Sequence, residues 1–83
     1  EVIIMIKAEE VIDFICEYEG FEKREISLDS NLVLDLGLTS LELFDLMNAL
    51  ENAFELGDVK NSNITKVHTI SDIVELINDI KSN

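Results

Sequence analysis

Ile70, Ile73, Val74, Ile77 and Ile80 recur at the i, i+3, i+4, i+7 spacing that lines one face of an α-helix. A stripe this apolar is stable only against a second apolar surface, so the segment cannot stand alone. Two further segments supply such surfaces. Between about Lys7 and Glu19, Ala8, Val11, Ile12, Ile15 and Tyr18 fall on one side at helical spacing, and Gly20 ends the run. After Thr39, Leu43, Leu46, Met47, Leu50 and Phe54 gather on one face. The expected fold is therefore all-α: a small bundle of three main helices. One short helix is suggested by Ile64 and Val67, and a long ordered loop separates helices one and two. Thr69 or Ser71 can cap the last helix, and Gly57 with the polar residues 58–63 connects to it. The 83 residues contain no proline, repeat or low-complexity segment and read as one domain over residues 5–81. Met5 suits a natural start, which leaves residues 1–4 as upstream or added sequence. A chain of this size buries only roughly 60–65% of its unfolded surface, so its core must be economical.

The stretch from Phe21 to Leu38 is long for a connection in so small a domain, and such loops usually have a job. Phe21, Ile26, Leu28, Leu32, Val33, Leu34, Leu36 and Leu38 can pin it across the open side of the bundle. Asp29, Ser30 and Asn31 supply turn chemistry, and Gly37 permits a sharp turn. The loop then delivers Thr39-Ser-Leu-Glu42, a capping box in which the Thr39 hydroxyl accepts from an early backbone N–H and Glu42 reaches back to the cap. Ser40 falls in the first turn, pointing outward. Leu41 lies opposite the apolar face with Asp45, Asn48, Asn52 and Glu55. A lone exposed leucine usually means nothing; beside a capped serine on an acidic surface it marks a partner contact.

Charge and composition narrow the function. Eighteen acidic residues against six basic give a formal charge of −12, which disfavours nucleic acid and anionic membrane and favours a basic protein surface. No apolar run is long enough to span a bilayer, so a chain without membrane insertion is expected. Cys16 is the only cysteine, which rules out an internal disulfide and fits a cytoplasmic setting; it reads as a small packing residue, since no basic neighbour at helical spacing would activate it. Asp29-Ser-Asn31 begins like a calcium loop, but Val33, Leu34 and Ser40 stand at its fifth, sixth and twelfth positions, where a ligand, glycine and glutamate are required. No metal site is expected. A serine hydrolase would need a base for Ser40. The single histidine, His68, is the one candidate, and no glycine-rich nucleophile elbow surrounds the serine.

Leu32 to Asp35, Gly37, Ser40-Leu41, the spacing of Glu42, Leu46, Leu50 and Phe54, and the closing Thr69-Ile70 together resemble the acyl and peptidyl carrier proteins. The resemblance covers most of the chain. It implies a phosphopantetheine-binding carrier, not an enzyme, with 4′-phosphopantetheine attached covalently to Ser40. Such a carrier shuttles acyl or aminoacyl thioesters between enzymes of fatty acid, polyketide or nonribosomal-type biosynthesis. Its implied partners are a phosphopantetheinyl transferase and acyl-loading and acyl-processing enzymes with basic docking surfaces, and the carrier itself is expected to be a monomer. The family's usual aspartate before the serine is Thr39 here, which keeps the cap and loses a carboxylate.

Docking is expected through the second helix: Asp45 and Glu51 match positions commonly acidic in the family, Glu42 adds charge at the helix start, and Leu41 supplies the apolar contact. Asn48 and Asn52 depart from the pattern, which usually has an apolar and an acidic residue there. An unmodified acidic interaction module of the same fold is the alternative; in that case Ser40 carries nothing.

Overall fold

The computed structural model describes residues 6–57 and 65–82. Among them are three α-helices, α1 (Ala8–Glu19), α2 (Ser40–Ala53) and α3 (Ile70–Ser82), with a single 3₁₀ turn at Lys23–Glu25. The all-α expectation stands. Of the short helix expected near Ile64 and Val67, Ile64 lies outside the described residues, as does the connection at 58–63; Thr65 and Lys66 form a turn, and Val67 is buried.

The three stripes meet in one core. Val11 and Ile15 come from α1, Leu46, Met47 and Leu50 from α2, and Ile70, Ile73 and Ile77 from α3, all with essentially no exposed surface. The edges of the stripes, Ile12, Leu43, Phe54, Val74 and Ile80, are half-buried around them. Tyr18 departs from its expected place: it is 43% exposed, because its ring stacks on Phe14 at 5.8 Å and its hydroxyl turns outward to α2. Phe14 in turn meets the edge of Phe54 at 5.8 Å, so an aromatic column joins α1 to the end of α2. Where α1 enters the bundle, the Asn78 side chain of α3 brackets Ile6, accepting from its N–H at 2.7 Å and donating to its carbonyl at 3.1 Å.

Gly20 closes α1 in the left-handed conformation (φ 81°), and the N–H groups of Gly20 and Phe21 both reach the Cys16 carbonyl at 2.9 Å. The end of α2 uses the same geometry without a glycine. Glu55 sits at φ 55° while the Leu56 N–H donates to the Glu51 carbonyl at 2.9 Å. A Cβ at such a φ costs energy that glycine avoids, partly offset by glycine's greater unfolded entropy. Glu55→Gly should thus raise stability by about 0.5–1 kcal/mol, read as a higher urea midpoint. A lowered midpoint would mean that the Glu55 side chain contributes more than its backbone costs.

The connection between α1 and α2 is ordered, though not by all of its apolar residues. Ile26, Leu32 and Leu38 are buried and Phe21 and Leu36 half-buried, whereas Leu28, Val33 and Leu34 face outward, Leu34 with 83% of its surface exposed. The cause is a tight turn built on Asn31. Its Oδ1 accepts from the N–H groups of Val33 and Leu34 at 3.0 and 2.8 Å, and Asp35 Oδ2 accepts from the Asn31 N–H at 2.7 Å. This polar turn projects residues 33–35 away from the core while Leu32 and Leu38 are drawn together, the Leu38 N–H donating to the Leu32 carbonyl at 3.0 Å.

Backbone bonds provide the rest of the order. Leu32 N–H donates to the His68 carbonyl at 2.9 Å, Ile70 N–H to Ser30 at 3.2 Å and Ser71 N–H to Leu28 at 2.9 Å, around an isolated antiparallel bridge between Asn31 and Thr69. The connection is tied to the start of α3, and that tie positions the residues that open α2.

Candidate functional site

Thr39 caps α2 as its sequence requires. Its Oγ1 accepts from the Glu42 N–H at 3.1 Å, and Glu42 Oε1 accepts from the Thr39 N–H at 3.0 Å. The cap fixes the first turn, so Ser40, the first helical residue, stands exposed at its surface. Leu41 follows with 83% of its surface open. The start of α3 repeats the device: Thr69 Oγ1 accepts from the Asp72 N–H at 3.2 Å, and Asp72 Oδ2 accepts from the N–H groups of Thr69 and His68 at 3.0 and 2.9 Å. These backbone donors hold the Asp72 carboxyl below its ordinary range.

Thr69, rather than Ser71, is therefore the cap of α3, and Asp72 pins the backbone of His68 next to it. Ser40 and His68 come together on one open hollow of about 260 Å³, lined also by Val33, Leu43, Phe44, Thr65 and Val67. No hydrogen bond joins Ser40 to His68 among the described residues. The nearby carboxylate of Asp72 accepts from backbone N–H groups through Oδ2, and among the described residues no hydrogen bond orients the His68 ring toward Ser40.

Against Glu42 and Asp45 of α2, α1 contributes two groups that helical spacing does not reveal. The Tyr18 hydroxyl donates to Asp45 Oδ2 at 2.6 Å, which pushes the phenol pKa upward. Glu19 lies close enough to Glu42 and Asp45 to feel both. Its carboxyl is raised first by burial and then by those two charges, and one buried oxygen, Oε2, has no hydrogen-bond partner. Leu41, Glu42 and Asp45 share the first two turns of α2 with Ser40 and are exposed. Glu51 does not join them: it lies half-buried eleven residues beyond Ser40, about 16 Å along the helix axis.

Burial and the neighbouring Asp13 raise the Cys16 thiol. A basic group does approach it in space, since Lys23 folds back from the 3₁₀ turn. Lys23 is committed to Glu9 and Asp13 at 3.0 and 3.1 Å, and burial outweighs its field. Among the described residues no group of three or more His, Cys, Asp or Glu side chains converges as a metal site. No helix among them is long and apolar enough to cross a membrane.

Comparison with known proteins gives this serine its context. Residues 9–77 match the family model described as a phosphopantetheine attachment site. The chain belongs to the acyl carrier protein family. It is similar to the acyl carrier protein of Rickettsia bellii, 35% identical over 74 residues that cover 89% of this chain and 85% of that one. The acyl carrier protein of Clostridium acetobutylicum is 33% identical over 69 residues, 83% of this chain and 88% of its own. That of Campylobacter fetus subsp. fetus is 33% identical over 73 residues, 88% and 94% of the two chains.

Members of this family are carriers, not enzymes, and hold 4′-phosphopantetheine covalently. The residues present fit that group. Ser40 offers an exposed hydroxyl at the N-terminal end of a 14-residue helix, where the aligned peptide dipoles favour a phosphate, and the hollow beside it leaves room for an attached chain to lie.

Proposed function

We propose that Ser40 is the attachment residue and that the domain, spanning residues 5–81, carries acyl groups between enzymes of fatty acid or polyketide-type synthesis as a cytoplasmic monomer. The observation that carries this is the exposed Ser40 at the first position of a capped helix, within the matched residues 9–77. Acyl cargo, rather than aminoacyl, is favoured because the curated relatives that span nearly all of this chain are named for acyl groups.

Ser40 has no base of its own, so a separate transferase must supply metal and base. The serine oxygen forms a bond to the pantetheine-side phosphorus of coenzyme A's pyrophosphate, the bond from that phosphorus to the bridging oxygen breaks, the nucleotide half leaves with that oxygen, and the hydroxyl proton passes to the transferase's base. Once attached, the arm supplies a terminal thiol that takes the acyl group as a thioester. The protein's own task is presentation: Thr39 and Glu42 fix the turn, and Leu32 and Leu38 anchor the connection that leads into it. Tethering raises the effective concentration of cargo at whichever active site the domain visits.

Leu41, Glu42 and Asp45 form the docking surface beside Ser40 in this proposal, and Glu51, half-buried farther along α2, is at most its outer edge. Leu41 provides apolar contact, and the acids provide charge complementary to a basic partner. Charge reversal by Asp45→Lys should lower the transferase kcat/KM about tenfold without loss of helicity, and added salt should weaken the wild-type encounter. An undiminished rate in the folded variant would remove Asp45 from the surface.

The direct test of the function is the intact mass of the wild-type chain before and after incubation with coenzyme A, magnesium and a broad-specificity phosphopantetheinyl transferase. One pantetheine increment is expected. A folded chain that gains none from several transferases would instead be an unmodified acidic interaction module of the same fold.

A further inference from the structure

We propose that His68 is the counter-group for the phosphodiester made at Ser40: protonated, its imidazole pairs with a non-bridging phosphate oxygen and holds the root of the arm over the hollow the two residues share. This rests on Ser40 being the attachment residue. Three observations converge on it. Ser40 and His68 line the same open hollow although they come from different helices' ends. The other lining groups, Val33, Leu43, Phe44, Thr65 and Val67, carry no charge, so among the described residues that line the hollow an anion placed at Ser40 meets no carboxylate and one ionisable partner.

The position of His68 is also fixed from both sides. Its N–H donates to Asp72 Oδ2 at 2.9 Å and its carbonyl accepts from Leu32 at 2.9 Å, while its side chain remains exposed. In a chain of net charge −12, a phosphodiester adds one more negative charge beside a cap already bearing Glu42. A histidine is suited to offset it, because an imidazole can take up a proton when an anion arrives beside it.

Asp72, at the start of α3, interacts electrostatically with His68. The connection faces the hollow with Val33, and α2 faces it with Ser40, Leu43 and Phe44, none of which titrates in the accessible range. The added phosphate is therefore the change that distinguishes the loaded from the unloaded protein. A nearby negative charge favours the protonated imidazole, so attachment should move the His68 titration to higher pH in the loaded protein. The arm's root is then held below that pKa and released above it.

The experiment is an NMR titration of the His68 ring in the unmodified and pantetheinylated chains, with intact mass confirming the loading and the ³¹P signal followed in parallel. The expected result is a higher His68 pKa in the loaded protein and a phosphorus shift that follows the same midpoint. His68→Gln should keep the fold, since the structural bonds at this position come from the backbone, and should abolish the phosphorus titration. Loading confirmed with an unchanged His68 pKa would overturn the pairing and leave the carrier function standing. Absence of loading would overturn the attachment at Ser40 and the pairing with it.

Discussion

Ser40→Ala is expected to abolish loading of the arm completely, with no pantetheine increment at any transferase concentration. Stability should stay within about 0.5 kcal/mol of the wild type, as for exposed positions outside special structural features. The separation is clean because the residue that presents the oxygen is not the residue that holds the helix. The capping bonds run between Thr39 and Glu42, and Ser40 merely follows them at the surface. Intact mass and a urea transition on the same two samples check both halves. Partial loading of the folded variant would place the arm on another hydroxyl.

Leu46→Ala carries the largest expected stability loss, about 3–5 kcal/mol. Leu46 is fully buried on α2, in the cluster that also holds Ile15, Leu50, Ile73 and Ile77. Truncation removes three methyl or methylene groups' worth of burial and leaves a cavity that helices already packed on each other can close only in part. Domains have roughly 0.05–0.15 kcal/mol of stability per residue, so this loss is a large share of what 83 residues possess. The urea midpoint should fall with little change in slope. A loss below about 1 kcal/mol would mean the core relaxes around the deletion. Leu41 makes the useful contrast, since its side chain is 83% exposed and its removal should affect partners rather than the fold.

Much of this architecture is legible because local chemistry and periodicity decide it. Thr39 and Glu42 form their capping box from a four-residue pattern, Gly20 closes α1, and the stripes of α2 and α3 bury the residues their spacing selects. The connection shows where apolar content misleads. Val33 and Leu34 look like anchors, but Asn31 and Asp35 bind backbone N–H groups across the same few residues, and the turn they impose points both side chains outward. An asparagine followed four residues later by an aspartate was the available signal.

The flank of the candidate site contributed by α1 was not legible at all. Tyr18 and Asp45 are 27 residues apart, and their hydrogen bond exists only once α1 and α2 have packed. Glu19 likewise gains its raised pKa from partial burial and from Glu42 and Asp45, which no spacing within α1 encodes. The sharing of a hollow by Ser40 and His68 depends in the same way on the bonds that tie residues 28–32 to the start of α3.

Fragmentation mass spectrometry of the loaded wild-type chain reports which residue bears the arm. The added mass is expected in the fragments at Ser40 and at no other serine or threonine. An arm found on Thr39, Ser30 or Ser71 would overturn Ser40 as the attachment residue.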